Sequence, residues 1–164
     1  MAEAARYLTD QGAALIDINM GCPAKKVTTG YSGSALMKTP DYALTLIEAV
    51  VKATDRPVTL KMRLGWDTDC LNAAEIAKRA EDAGVQMITI HGRTRNQFYK
   101  GTANWTAVAD VVRAVCLPVV VNGDIQLQTS FRGFRTHRLP SNLEAVLNTI
   151  RHQDRHRVWQ RSYQ

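Results

Sequence analysis

Short apolar runs alternate with amphipathic stretches along the first three quarters of the chain. Four apolar runs of strand length occupy residues 13–18, 57–64, 85–92 and 117–124, with the sequences AALIDI, PVTLKMRL, VQMITIHG and LPVVVNGD. Between these runs, apolar residues recur at the spacing of an α-helix that buries one face. Because each predicted strand is preceded or followed by an amphipathic helix, the pattern predicts a parallel α/β architecture.

Residues typical of helix ends support this division of the chain. Residues 2–11 have a helical pattern, and Thr39 followed by Pro40 predicts the N-cap and the first position of a second helix. Gly84 predicts the end of a third helix, since glycine is common just after a helix C-terminus. Asn104 is the predicted N-cap of a fourth helix.

Polar side chains follow each of the four predicted strands. In β/α barrels, catalytic groups lie at the carboxyl ends of the strands. Four consecutive strand ends that carry cations, amides, a thiol and an imidazole therefore predict a functional rim. The residues at these four ends are Asn19 and Cys22, Lys61 and Arg63, His91 and Arg93, and Asn122 and Asp124.

Composition narrows the class of protein. No run approaches the ~18 to 20 unbroken apolar residues of a membrane-spanning helix, and the N-terminus lacks the pattern of a signal peptide, so we expect a cytoplasmic protein. The three cysteines, Cys22, Cys70 and Cys116, form no CxxC or Cys/His pair. We therefore expect no metal site and no disulfide framework. Cys116, within an apolar run, is predicted to pack in the core.

The net charge of +6 is concentrated near the C-terminus. Residues 1–125 hold 14 Lys+Arg and 13 Asp+Glu, whereas residues 126–164 hold seven arginines and two acidic residues, with no lysine. Residues 141–153 of this arginine-rich tail fit one amphipathic helix, in which Ser141 and Glu144 match a capping box. The basic charge is therefore a property of the tail.

Five short motifs give the chain a resemblance to a known family. Residues 1–125 resemble the tRNA-dihydrouridine synthases, most closely the bacterial B type. The motifs, in the family's order and spacing, are N-M-G-C-P-A (19–24), K-M-R (61–63), H-G-R-T-R (91–95), Y-x-G-x-A-x-W (99–105) and N-G-D-I (122–125).

The resemblance implies a fold and a reaction. It implies an FMN-binding (β/α)8 TIM barrel that reduces uridine in tRNA to 5,6-dihydrouridine, with NADPH as the reductant of the flavin. Cys22 is implied to be the general acid that protonates C5 of uracil, while FMN delivers hydride to C6. A free thiol, with a pKa near ~8.5, is mostly protonated at neutral pH and can donate that proton.

The resemblance also implies binding roles for other residues. Lys61 and His91 match positions that contact the isoalloxazine ring, where a donor or cation stabilises the reduced flavin. Asn122 and Asp124 match positions near the ribityl chain.

Five further residues match substrate-side positions or fit them by chemistry. Asn19 has an amide that can both donate to and accept from uracil. Arg63 and Arg93 match pocket positions and carry a planar fork suited to a carbonyl or phosphate. Arg95 and Lys100 lie on the long loop after the third strand, where they can meet the RNA backbone.

Each assignment has a structural alternative. A lone cysteine such as Cys22 is often a small buried hydrophobic residue. Lys61 can extend from a strand end with its charged head in water, and His91 can be a hydrogen-bonded loop residue. Asp124 can simply cap a turn, and Arg95 can be a solvated surface residue.

A complete barrel has eight strands and typically ~250 residues, whereas this sequence shows about four central βα units. We therefore expect a partial barrel with impaired activity, and homo-oligomerisation through its open edges is compatible with it. Residues 126–164 do not continue the barrel pattern, which favours a frameshifted or chimeric reading frame over a basic RNA-binding arm. Two other functions stay open: an inactive fragment or RNA-binding remnant, and another FMN barrel acting on a free pyrimidine.

Overall fold

Residues 1–124 are described by a computed structural model, and they form one parallel sheet with helices on one face. The sheet has four strands in the order β1-β2-β3-β4, and every neighbouring pair is parallel. The strands are β1 (Ile16–Met20), β2 (Val58–Arg63), β3 (Met87–His91) and β4 (Val119–Asn122). The predicted helix 141–153 and the rest of the tail 126–164 lie outside the described residues.

Five α-helices and one 3₁₀ helix connect or precede the strands. The segment between β1 and β2 holds two helical turns that the sequence pattern did not predict, followed by a longer helix. The helices are α1 (Ala2–Asp10), α2 (Lys25–Thr28), the 3₁₀ helix (Gly33–Lys38), α3 (Pro40–Val51), α4 (Ala73–Asp82) and α5 (Trp105–Ala114).

The hydrophobic core lies between the helices and one face of the sheet. Alternate residues of each strand point to opposite faces, and the residues on the helix side are buried apolar side chains. Those of the first three strands are Ile16, Ile18, Met20, Val58, Leu60, Met62, Ile88 and Ile90. In α4, buried residues at i, i+3, i+4 and i+7 form the matching apolar stripe, which is Ala73, Ile76, Ala77 and Ala80.

The opposite face of the sheet carries the polar residues of the strands, together with the apolar Met87 and Val120. The strand register places residues of this face side by side on neighbouring strands: Asn19 pairs with Lys61, Arg63 with His91, and His91 with Asn122. Deeper in the same face, Thr59 Oγ1 donates a hydrogen bond of 2.7 Å to Asp17 Oδ1. The parallel register thus brings the polar ends of four strands, far apart in sequence, to one edge.

Most helix boundaries agree with the sequence predictions. Gly84 follows the end of α4 with φ +102°, a left-handed conformation that glycine adopts readily. Asn104 caps α5, because its side chain accepts a hydrogen bond from the backbone N–H of Ala107. Thr39 occupies the N-cap position of α3, but its side chain makes no capping bond.

Two other expectations differ from the structure. The first strand begins at Ile16 rather than at residue 13, and it continues through Asn19 to Met20. Cys116 is exposed rather than packed in the core. Its neighbour Val115 is buried instead, and the backbone N–H of Cys116 donates to Glu81 Oε1 at 2.8 Å. The core prediction for Cys116 was wrong because this residue lies in the turn between α5 and β4.

Within residues 1–124, no helix is both long enough and apolar enough to cross a membrane.

The N-cap of α5 provides a test of the fold. Replacing Asn104 by Ala removes the side-chain acceptor for the Ala107 N–H, and we expect a loss of about 1 kcal/mol in the free energy of unfolding. Asn104→Asp keeps an acceptor and should stay within a few tenths of a kcal/mol of the wild type. Urea denaturation of the full chain measures both, and equal losses for the two variants would contradict the capping role.

Candidate active site at the carboxyl ends of the strands

The loop after β1 holds Cys22 through its backbone. Asn19 Oδ1 accepts hydrogen bonds from the backbone N–H groups of Gly21 at 3.0 Å and of Cys22 at 3.1 Å. The oxygen of the Asn19 amide therefore positions this loop. Asn19 is predicted to bind the substrate. Because its oxygen is engaged by the two backbone N–H groups, that role falls to its amide nitrogen.

The carbonyl side of Cys22 is held as well. The backbone N–H of Ser34 donates to Cys22 O at 3.0 Å, and the Ser34 hydroxyl donates to the same oxygen at 2.9 Å. Gly33 lies so close that a Cβ there would come within 2.7 Å of Cys22 O, and its φ is +59°. Both peptide groups of Cys22 are thus fixed, and its half-buried thiol is free.

Arg63, at the end of β2, joins the Cys22 loop to the loop after β3. Its side chain is buried, with the residue 2% exposed. Nε donates to Gly21 O at 2.8 Å, and Nη1 donates to Thr94 O at 3.0 Å and to Phe98 O at 2.8 Å. The guanidinium also lies 5.6 Å from the ring centre of Tyr99. Most of its donors are therefore used within the protein, which leaves Nη2 for the substrate contact predicted for Arg63.

Arg93 and Asp124 form an ion pair between the loops after β3 and β4. Arg93 Nη2 lies 2.7 Å from Asp124 Oδ2, which also accepts the Ala103 N–H at 2.8 Å. These contacts, above all the hydrogen bond from Arg93, lower the pKa of the Asp124 carboxyl. Arg93 also donates to the carbonyls of Lys100 and Gly101. The pair fixes the loop 93–103 against the end of the sheet.

His91 lies between these two arginines and is 8% exposed. Burial, and then the positive charges of Arg63, Lys61 and Arg93, lower the pKa of His91 to about 4. Its Nδ1 is buried without a hydrogen-bond partner in the described part of the chain, and Tyr99 packs edge-on against the ring at 6.4 Å. The imidazole is therefore neutral at pH 7 and offers polar atoms to a ligand.

Lys61 adds an uncompensated cation to the same face. Burial lowers its pKa first, and the charge of Arg63 lowers it further, while Asp17 opposes both. Among residues 1–124, no side chain makes an ion pair with Lys61 within 4.0 Å. Since Asp124 is engaged by Arg93, the site has excess positive charge, which favours an anionic ligand.

The remaining predicted site residues lie around this centre. Asn122 is exposed beside His91, and its carbonyl accepts the Gly92 N–H at 3.0 Å. Arg95 lies on the outer side, 4.6 Å from the centre of the Trp66 ring. Lys100 is exposed, and its backbone rather than its side chain accepts from Arg93. The strand ends thus bring together Cys22 and the predicted flavin-side residues, whereas Arg95 and Lys100 lie in the surrounding loop.

One contributor to the site was missed by the sequence reading. Ser34 is fully buried and holds Cys22 O, but a serine in the run SGSALM resembles any small buried residue. Tyr99, which the sequence placed in the loop expected to meet RNA, contacts both Arg63 and His91 although it is 65% exposed. The signal for Ser34 was its position beside Gly33, because a glycine in a left-handed conformation commonly allows close backbone approach.

Among residues 1–124, no group of three or more His, Cys, Asp and Glu side chains could hold a metal ion.

Comparison with known proteins identifies the family. The dihydrouridine synthase (Dus) family model matches residues 1–137. A Rhodobacter capsulatus protein named as a probable tRNA-dihydrouridine synthase is 70% identical over 132 residues, 80% of this chain and 41% of the relative. A Xanthomonas campestris protein named tRNA-dihydrouridine synthase B is 54% identical over 125 residues, 76% of this chain and 38% of the relative.

The chain belongs to the dihydrouridine synthase family, and the resemblance seen in its five motifs is confirmed. Relatives of the B type are among its matches. The chain spans about two fifths of the length of these curated relatives, and the family match continues past residue 125 to residue 137.

A solved structure supports the fold. Dihydrodipicolinate synthase of Bacillus anthracis superposes with a TM-score of 0.53 over 73% of this chain and 37% of that protein, at 19% sequence identity. At this identity the likeness concerns the fold alone.

The neutral state of His91 predicts a pH dependence of stability. Its pKa is about 4 in the folded chain against the ordinary 6.5 of a histidine, so the unfolded chain binds a proton more readily between these values. The free energy of unfolding should therefore fall as the pH falls from 6.5 to 4, by up to about 1.4 kcal/mol per pH unit from this one group.

Urea denaturation across this pH range measures the effect. His91→Gln should have a shallower slope of stability against pH than the wild type, since glutamine does not titrate. Equal slopes for His91→Gln and the wild type would contradict a buried neutral imidazole.

Proposed function

We propose that the chain carries the acid and the cation-rich side of an FMN-dependent tRNA-dihydrouridine synthase. The observation that carries this proposal is the fixation of Cys22 at the end of β1, beside the cations of β2 and the neutral His91 of β3. The family membership and the names of the relatives support uridine in tRNA as the substrate. An enzyme of this kind works in the cytoplasm.

We further propose that the four strands are part of a (β/α)8 barrel with the polar face inside. The strands follow one another in sequence order, and the helices lie on one face only. A doubly wound sheet would instead reverse its strand order and carry helices on both faces. In a barrel, the remaining strands, from the rest of a full-length relative or from a second copy, would cover the open edges of β1 and β4.

The residues at the strand ends fit an FMN ring. His91 Nδ1 is buried without a described partner, and Lys61 supplies a cation with no ion pair within 4.0 Å among residues 1–124. These two residues would hold the polar edge of the isoalloxazine, with Asn122 at the rim. The chemistry that FMN supplies when bound is hydride addition to C6 of uracil, with NADPH as the source of electrons.

Cys22 supplies the proton for the same reduction. When hydride adds to C6 with its own electron pair, the electron pair of the C5=C6 double bond would move to C5, and C5 would take the proton from Sγ. The thiolate that remains is protonated again by water. Because Asn19 and Ser34 hold both peptide groups of Cys22, the backbone that carries the thiol is positioned before the substrate arrives, which lowers the entropic part of the barrier.

The test compares two cysteine variants of the full chain. Wild-type chain with FMN, NADPH and unmodified tRNA should form dihydrouridine at the reduced rate expected of a partial barrel, detected by mass spectrometry of tRNA digests. Cys22→Ser should lower the rate about 10²- to 10⁴-fold, the usual contribution of a general acid. Cys70→Ser, which alters an exposed free cysteine, is the control and should keep the wild-type rate.

Two results would contradict the proposal. One is the absence of dihydrouridine with the wild-type chain under prolonged incubation. The other is an unchanged rate for Cys22→Ser. Product formed from free uridine but not from tRNA would instead support an enzyme that acts on a free pyrimidine.

A further inference from the structure

A second recess lies beside the Cys22 loop, outside the site described above. It has a volume of about 370 Å³, within the range of about 300–1,000 Å³ that is typical of ligand pockets. The segment from α2 to the start of α3 forms one side, and the loop after β2 forms the other. We call it the Trp66 pocket; its polar and aromatic lining residues include Thr28, Thr29, Tyr31, Lys38 and Trp66.

Two aromatic rings face this pocket, and packing does not account for one of them. Tyr31 is 76% exposed, although a large aromatic side chain gains free energy by burial. Its φ is +52°, an uncommon conformation for a residue other than glycine and one that is often found at binding sites. Trp66 provides the second ring and is only partly buried.

Positive charge lies over one of these rings, that of Trp66. Lys38 Nζ lies 4.8 Å and Arg95 Cζ lies 4.6 Å from the centre of the Trp66 ring. Residues 18–40 contain three lysines and no acidic residue. The next acid, Asp41, is engaged by Arg79 at 2.6 Å. Asp67 follows Trp66 in sequence but does not line the pocket.

Within residues 1–124, none of those three lysines is within ion-pair distance of an acidic group. The pocket therefore combines an exposed aromatic ring with one lysine, Lys38, that has no acidic partner among the described residues. Proteins bind single-stranded nucleic acid by this combination, since bases stack on aromatic rings while cations meet the phosphates.

We propose that the Trp66 pocket binds one nucleotide of single-stranded RNA next to the reacting uridine. Its base stacks on the exposed ring of Tyr31, and its phosphate meets Lys38, whose ammonium lies over the Trp66 ring beside the pocket. The pocket belongs to the same loop as the candidate acid, because Ser34 fastens this segment to Cys22 O. The assignment of that RNA as tRNA rests on the proposed function, whereas the nucleotide site itself rests on the pocket.

The experiment uses Trp66 as its own reporter. In the full chain, Trp105→Phe and Trp159→Phe leave Trp66 as the single tryptophan. A single-stranded uridine pentanucleotide should quench its fluorescence with saturation. In that background, Tyr31→Ala should weaken binding about 5-fold or more, since base stacking is lost. Tyr31→Phe keeps the ring and should stay within about twofold of the parent.

The charge contribution is measured separately. Lys38→Gln should weaken binding and reduce the slope of log Kd against log salt concentration by about 0.7, the value for one phosphate contact in a single strand. Lys52→Gln is the matched control, because Lys52 lies just after α3 and pairs with Glu48 at 3.0 Å. It should leave both affinity and slope unchanged.

Several outcomes would overturn the nucleotide site. These are the absence of quenching, equal affinity for Tyr31→Ala and its parent, or equal quenching by tripolyphosphate or hexaglutamate, which would indicate attraction of any anion. Saturable, Tyr31-dependent quenching without any dihydrouridine in tRNA would support the nucleotide site while contradicting the proposed function. Dihydrouridine formation without quenching would support the proposed function and contradict the nucleotide site.

Discussion

The geometry of the site depends on the hydrogen bonds that the buried guanidinium of Arg63 donates to two loops. A charged group taken out of water is costly unless it is hydrogen-bonded, and Arg63 meets this requirement with the carbonyls of Gly21, Thr94 and Phe98. Hydrogen bonds to a charged group contribute about 1.5–3 kcal/mol each. Two loops separated by some seventy residues are thereby fixed to the end of one strand.

The same contact explains the electrostatics of the strand ends. Arg63 helps to lower the pKa of both Lys61 and His91, so the imidazole stays neutral in a positively charged setting. Arg93 is neutralised by Asp124, whereas Lys61 has no ion pair within 4.0 Å in the described part of the chain. A neutral polar ring beside an uncompensated cation suits a planar, electron-rich ligand better than it suits a metal ion.

Sequence reading predicted the elements of the fold well because each depends on local rules. Gly84 and Asn104 mark helix ends through backbone conformation and capping, which are encoded within a few residues. The strand-end residues were also predictable, since parallel register aligns them once the strands are known. By contrast, the bond from Ser34 to Cys22 O and the three acceptors of Arg63 depend on loop paths. Cys116 shows the same limit, because an apolar neighbourhood in sequence did not reveal that its side chain leaves the core.

Hydrogen–deuterium exchange in Arg63→Lys tests the central role of this guanidinium most directly. Lysine keeps the charge but lacks the planar fork that reaches three carbonyls. We predict faster exchange of the Gly21 and Cys22 amides together with those of residues 94–98, while strand β1 keeps its protection. Arg79→Lys, at an exposed ion pair with Asp41, should leave both segments unchanged. Unaltered exchange in Arg63→Lys, or a change confined to one of the two loops, would contradict the account.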